Sequence, residues 1–438
     1  MPRSITAVLL GTLTLRFSTG LTGAMLLYYL AQLPEFGGPV VSGSVAGIMT
    51  ASYFAAELLL SPAFGVLSDR LGAQRIMQIG PVLGGAAVIV TALTTDLWLL
   101  GGTRWLEGMA AAASIPSILG YIAIATSDDE GLRGKTVARF EAATIAGIGF
   151  GAVVAGPLFD LLGRGAFVAN AAIYVASFAI YRYGVRPIDP DPAAIDAAAE
   201  RPIDSAEVRP ARDWGRYARL LSTSGVWLLA PTWIALNAII GAWTTQSVFQ
   251  LVREDPDGRF ADQLLMGGFA PTQVSAGLAI ALVTFFAGIF VWGNLFRRYR
   301  RTSIIGVGIA GGVVMVAAIA AVNHSAAWPL VALVSLVLVA LAGLFVLAGA
   351  TPAALGMLAD ISEVHPADRG AIMGLYSVFL GLGQIVGSVL SGSAADWLGI
   401  DGLLVASAGL LVVALVPLRW LRESEHLVGI RHVVTAEA

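Results

Sequence analysis

Long apolar stretches alternate with short polar ones along the whole of this chain. Twelve of the stretches are long enough for a helix to cross a hydrocarbon layer, which takes roughly 20 residues. They cover about 4–31, 43–67, 75–95, 97–126, 138–162, 165–183, 223–252, 270–296, 303–322, 327–358, 370–394 and 400–421. The pattern predicts an all-α integral membrane protein with twelve transmembrane helices. The first stretch is too long, and too closely followed by a second, for a cleaved leader. It reads as a permanent helix.

One polar interval stands apart. Residues 184–222 carry Pro187, Pro190, Pro192, Pro202 and Pro210 together with many charges, the composition of a linker. The expected division is a six-helix half over 1–183, a linker over 184–222, a second six-helix half over 223–421 and a tail over 422–438. Two readings stand for 213–221: a short helix on the membrane surface or a plain solvated linker. The interval 253–269 is the longest loop expected on the far side, either a gate or a passive connection. A repeated phrase supports the two halves. Gly65, Gly156, Gly293 and Gly392 each precede a charged residue by four positions (Asp69, Asp160, Arg297, Asp396). In three cases a further glycine follows, at Gly72, Gly163 and Gly399. Each half carries the phrase twice, as expected of pseudo-symmetric halves built from duplicated three-helix units.

Composition sharpens this picture. Apolar residues make up 57% of the chain and charged residues 13%, against about 25% charged in soluble proteins. A net charge of -3 points to no nucleic-acid partner, and the absence of cysteine excludes disulfides, thiolate metal sites and cysteine nucleophiles. Basic residues fix an orientation, because they accumulate on the cytoplasmic side. With the N-terminus inside, 21 of the 26 fall in cytoplasmic segments, Arg164, Arg253 and Arg259 fall outside, and Arg16 and Arg104 fall within helices. The expectation is a multi-pass protein of the plasma membrane, in contact with the lipid bilayer, with both termini cytoplasmic.

Gly65-Val66-Leu67-Ser68-Asp69-Arg70-Leu71-Gly72, followed by Arg75, resembles the cytoplasmic signature of the major facilitator superfamily between helices two and three. The resemblance covers the whole chain and is to the twelve-helix drug/proton antiporter-like branch. Gly65 would permit close packing, Gly72 a tight turn, and Asp69 an interaction with a helix N-terminus or a nearby arginine. The resemblance implies that Gly65, Asp69, Arg70, Gly72 and Arg75 form a conformational switch, with Asp69 facing helix eleven. Ala73 and Gln74 stand where relatives often carry basic residues. The counterpart between helices eight and nine is basic, with Arg297, Arg298, Arg300 and Arg301. It is either a positive-inside anchor or a charge latch to the other half. Helix five carries Gly147, Gly149, Gly151 and then Gly156-Pro157, a partial match to a Gly-Pro pattern the family associates with export. Phe159-Asp160 replaces the trailing glycines of that pattern. Four small-residue pairs, Gly80/Gly84, Gly147/Gly151, Gly370/Gly374 and Gly383/Gly387, would let helix backbones approach closely.

Helix four holds Arg104-Trp105-Leu106-Glu107-Gly108, similar to a family pattern in which the buried arginine is linked to proton transfer. A spacing of three puts Glu107 beside Arg104 on one face. The pair is either a static neutral couple or a proton relay. Ionisable groups inside a membrane are costly and usually functional or paired. Those expected here are Arg16, Glu57, Arg104 and Glu107, with Glu141 near a helix end, all in the first half. The second half supplies uncharged cavity candidates: Trp233, Asn237, Trp243, Gln246, Tyr376 and Gln384. Two positives against two central negatives demand no anionic substrate.

Enzyme chemistry finds little support. Gly134-Lys135-Thr136 lacks the earlier glycine of a phosphate-binding loop, position 129 being Asp129. His324, His365, His426 and His432 show no metal-ligand spacing. No cofactor or metal is expected, and the protein is expected to work as a monomer. The favoured reading is a secondary transporter working by alternating access, coupled to protons and exporting a small amphipathic organic compound. Two rivals stand beside it: a proton-coupled uptake symporter for a small metabolite, and a non-transporting membrane assembly factor or receptor.

Overall fold

A computed structural model describes residues 2–188, 226–255, 257–295, 298–364 and 369–424. Among them there are helices and connections but no strand. Twelve helices are long and apolar enough to cross a membrane. In chain order they are α1 (Arg3–Ala31), α2 (Gly43–Leu71), α3 (Ala73–Leu93), α4 (Leu97–Ala125), α5 (Glu130–Leu162) and α6 (Gly165–Gly184). The second six are α7 (Val226–Val252), α8 (Pro271–Leu295), α9 (Arg301–Asn323), α10 (Leu330–Ser362), α11 (Gly374–Leu398) and α12 (Ile400–Arg422). The surface helix weighed over 213–221, Arg297, His365, His426 and His432 lie outside the described residues.

Helix ends follow from local chemistry. Ser42, Asp96 and Asp129 cap α2, α4 and α5, their side-chain oxygens accepting from Val45 N (3.2 Å), Leu99 N (2.9 Å) and Leu132 N (2.8 Å). The cap at Asp129 lets α5 begin at Glu130, well before the apolar run expected from 138. The repeated phrase also has a physical basis. Its trailing glycines, Gly72, Gly163 and Gly399, have φ of 93°, 51° and 62°, a backbone region costly for residues with a Cβ. The fourth copy has Arg300 at that place, with φ of -62°.

Two compact units are present: Met1–Arg201 with Val248–Glu254 and Gly267–Ala279, and Pro202–Ser247 with Asp255–Met266 and Ile280–Ala438. Each repeats one packing scheme. In the first, a Cβ on Gly147 or Gly151 of α5 would strike the backbone of α1, and one on Gly108 of α4 would strike Tyr53 O of α2. Likewise a Cβ on Gly84 of α3 would meet the Tyr174 ring of α6. In the second unit, Gly383 and Gly387 of α11 stand in the same relation to α7, Gly288 of α8 to Phe345 O of α10, and Gly312 of α9 to Leu411 of α12. Every pair in one unit recurs six helices later in the other. Glycine is what permits these backbone approaches, because interhelical attraction inside a bilayer rests on packing rather than on exclusion of water. In the pair Gly370/Gly374, a Cβ on Gly374 would meet nothing within 4 Å among the described residues.

Candidate functional site

All the intramembrane charges singled out above belong to the first unit. Arg104 and Glu107 on α4 are 5% and 3% exposed. Their ion pair runs from Nη1 to Oε2. The Arg104 guanidinium lies 4.8 Å from the ring centroid of Tyr53 on α2, over its face. Gly108, next to Glu107, makes this possible by bringing the α2 backbone against α4 at Tyr53 itself. The pair is incompletely satisfied: Arg104 Nε and Glu107 Oε1 are buried with no hydrogen-bond partner among the described residues. A buried polar atom without a partner costs about 1–3 kcal/mol, so its retention asks for a reason. The sequence pointed to the pair but missed Tyr53. A signal existed, since Tyr53 stands four residues before Glu57 and therefore on the same face of α2.

Arg16 on α1 is buried, at 6% exposure. It lies within charge–charge reach of Glu57, which is half-buried, and of Glu141, which is exposed. Gly147 accommodates it, because a Cβ there would stand 2.7 Å from the Arg16 Cβ. Thus α1, α2 and α4 each contribute a buried or half-buried charge to this unit, with the exposed Glu141 of α5 at its edge.

The switch candidates divide. Gly72 makes the expected turn between α2 and α3, its N donating to Ser68 O at 2.9 Å. Gly65 does not make the close approach expected of it: a Cβ there would meet Pro116 Cβ at 3.8 Å, an ordinary contact. Asp69, Arg70 and Arg75 are exposed.

The C-terminal end of α5 also makes contacts with α1 and α8 that the sequence did not indicate. Gly156 N donates to Ser275 Oγ on α8 at 2.9 Å, and Ser275 Oγ is also 3.0 Å from Tyr28 Oη on α1. A Cβ at Gly156 would collide with Pro271 O. Asp160 accepts from Thr272 N at 2.8 Å, placing a carboxylate at the start of α8, where a helix favours negative charge. The Gly156-Pro157 segment is thus a seat for the first turns of α8. Its replacement residue Asp160 is the cap of that helix.

In the second unit, four of the six cavity candidates lie along the seam of α7 and α11. The Trp233 and Tyr376 rings pack with centroids 5.5 Å apart. Asn237 adjoins Gly383, while Gln384 adjoins Gly241 one turn further on. Asn237 Nδ2 donates to Trp233 O at 2.9 Å within its own helix. Trp243 does not join them, since its Nε1 donates to Ser407 Oγ of α12 at 3.0 Å. Gln246 is fully buried in the π-helical segment Trp243–Ser247. The basic cluster resolves in part. Arg301 forms a two-pronged pair with Asp360 of α10, Nε to Oδ2 at 2.7 Å and Nη2 to Oδ1 at 2.8 Å. Gly356 leaves the room for that guanidinium. Arg301 therefore ties α9 to α10 within its own unit, whereas Arg298 and Arg300 are exposed. His324 bonds Asp401 through Nε2 at 2.9 Å, and no cluster able to hold a metal occurs among the described residues.

Comparison with known proteins adds a lineage. The model of the Major Facilitator Superfamily matches residues 8–334 and 218–431. Multidrug resistance protein 2 of Bacillus subtilis (strain 168) is 22% identical over 361 residues, covering 81% of each chain. The quinolone resistance protein NorA of Staphylococcus aureus (strain MRSA252) is 25% identical over 138 residues, which is 32% of this chain and 35% of that one. Among solved structures, the nucleoside transporter NupG superposes with a TM-score of 0.67 at 16% identity, covering 96% of this chain and 98% of the other. A bacterial homologue of the human lysosomal transporter Spinster gives 0.67 at 14% identity, covering 98% and 97%. At such identities the structures speak for the fold alone.

Proposed function

Because this chain belongs to the major facilitator superfamily, and so is a multi-pass membrane transporter for small molecules rather than an enzyme, we propose that it exports an amphipathic organic compound in exchange for protons. The observation that carries the reading is the buried Arg104–Glu107 pair with its spare carboxylate oxygen. The names of the multidrug- and quinolone-resistance relatives support the direction. In this reading the halves are 1–183 and 223–421, joined by the linker 184–222, with the tail 422–438 and both termini in the cytoplasm. The protein acts as a monomer in the plasma membrane.

Coupling follows from charge balance in a low dielectric. With Glu107 ionised, the pair is neutral, and Oε1 offers a weakly compensated negative site to a cationic or polar group. With Glu107 protonated, Arg104 is left uncompensated and repels a cation. One carboxylate therefore serves either a proton or a cationic substrate, and that exclusivity is the condition for antiport. Arg16, Glu57 and Glu141 set the field around it. The Trp233, Tyr376, Asn237 and Gln384 seam offers aromatic faces and amide groups to an uncharged part of the substrate. Asp69, with Gly72, acts in switching between access states, the halves rocking about the central site.

Expression in a bacterial host stripped of its own drug pumps tests the reading. Resistance to ethidium should rise severalfold, and ethidium export from preloaded cells should stop when a protonophore collapses the gradient. Unchanged sensitivity to a broad panel of such compounds, together with growth rescue on a single nutrient, would replace export by uptake.

A further inference from the structure

A groove of about 590 Å³ lies between the first turns of α1 and the last turns of α6 in the first unit. Arg3, Thr6, Ala7 and Leu10 line it from α1, and Ala179, Ile180, Tyr183 and Gly184 line it from α6. We propose that this groove is a binding site for one anionic phospholipid of the leaflet on the N-terminal side, with Arg3 at the headgroup phosphate and Leu10 and Ile180 against an acyl chain.

The groove is built from the sequence upward. Residues Ile180–Gly184 form a π-helical turn, which displaces the end of α6 from regular α-helical spacing. On the inner side Tyr181 is fully buried, and a Cβ on Gly11 of α1 would strike its ring, so the two helices are pinned there. On the outer side the lining residues Ala7, Ala179 and Gly184 are small; Gly184 approaches α1 so closely that a Cβ there would stand 2.8 Å from the Ala7 Cβ, and the short side chains leave the groove open above that contact. The chain beyond α6 is fixed as well: Arg186 N donates to Ser4 Oγ at 3.4 Å, Tyr121 Oη donates to Arg186 O at 3.0 Å, and Gln74 Nε2 donates to Val185 O at 2.9 Å. The walls are thus held by hydrogen bonds from α1, α3 and α4.

Charge selects the occupant. Neither α1 nor residues 165–188 contain a single Asp or Glu, while Arg3, Arg182 and Arg186 are all exposed at this end. The floor is apolar, and Tyr183 is 85% exposed, a ring with a polar tip of the kind that sits at headgroup level. An apolar slot that opens at the end of two membrane-crossing helices, with cations at its mouth and no anion on either wall, fits a lipid whose tail is apolar and whose headgroup is negative. Each arginine near such a surface strengthens the attraction about fivefold.

Native mass spectrometry of the full-length protein in detergent provides the test, with dioleoyl phosphatidylglycerol and dioleoyl phosphatidylcholine as probes. The expected result is one saturable phosphatidylglycerol per chain, retained at least about fivefold better than phosphatidylcholine. Arg3→Gln should lose that preference, and Leu10→Trp should lose retention of both lipids by filling the slot. Circular dichroism melting of both variants checks that they remain folded. If either variant unfolds, Arg182→Gln, whose side chain lies outside the wall, replaces it and should show a smaller loss of preference. Equal retention of the two lipids by the native chain, or undiminished preference in the folded variants, would overturn the proposal. So would displacement of the lipid by inorganic phosphate at equal concentration, or a dimer whose formation excludes the lipid.

Discussion

Arg104→Ala should destabilise the protein by about 3–5 kcal/mol, because it strands a buried carboxylate without its cation. Glu107→Ala should cost a similar amount for the converse reason. The informative variant is the double one. Arg104→Met with Glu107→Met replaces two buried charges by apolar side chains of similar length, and such exchanges are often neutral or stabilising. Its unfolding midpoint in detergent should return to the native value or above, while compound-linked proton movement stays lost. That combination separates the two readings of the pair that the sequence left open. A static couple predicts a double variant that is both stable and active. A relay predicts one that is stable and inactive. Glu107 Oε1, without a hydrogen-bond partner among the described residues, favours the relay, since a purely structural pair gains nothing by leaving an oxygen buried and unused.

A second large effect is expected where glycine carries a helix seam. Gly387→Leu puts a side chain into Ala238 O of α7, and Gly151→Leu puts one into Phe17 O of α1. Neither carbonyl belongs to a flexible group that can swing aside, so the helices must separate along the contact. Overpacking of this kind costs about 1–3 kcal/mol, and more when backbone must move. At about 2–4 °C for each kcal/mol in domains of 150–250 residues, the unfolding midpoint should fall by roughly 5 °C or more. Gly374→Leu is the matched control. It makes the same chemical change within the same kind of sequence pair, but nothing among the described residues lies within 4 Å of the new Cβ. Its midpoint should not fall and should rise by roughly 2–4 °C, since open space leaves only the higher helix propensity of leucine over glycine, up to about 1 kcal/mol. Equal losses at all three positions would show that the helices meet elsewhere.

The spans were legible because crossing a bilayer imposes a length on apolar runs. The run expected over 43–67 lies within α2 (Gly43–Leu71), and that over 303–322 within α9 (Arg301–Asn323). Hydropathy marks the part of a helix in hydrocarbon, however, and not where its hydrogen-bond ladder ends. That is why α5 extends back to Glu130 through Arg133, Lys135 and Arg139, which are polar yet helical. The α4 pair was legible from a spacing of three. Its Tyr53 cover depends on a second helix brought close by Gly108, a fact about packing that no single periodicity contains. The same limit explains Gly370/Gly374, where the four-residue spacing is right but no described neighbour lies within 4 Å of a Cβ on Gly374. It also explains Arg301, whose partner Asp360 lies 59 positions along the chain.

The central claim is that Glu107, held by Arg104, moves the coupled proton. The most direct measurement is internal pH in proteoliposomes carrying the native chain or Glu107→Gln, challenged with a panel of amphipathic cations. Native protein should show compound-dependent proton movement opposite in direction to the compound, and Glu107→Gln should show none while remaining folded. Proton movement of native size in Glu107→Gln, or tracer flux of a compound through the native chain without any pH change, would contradict the account.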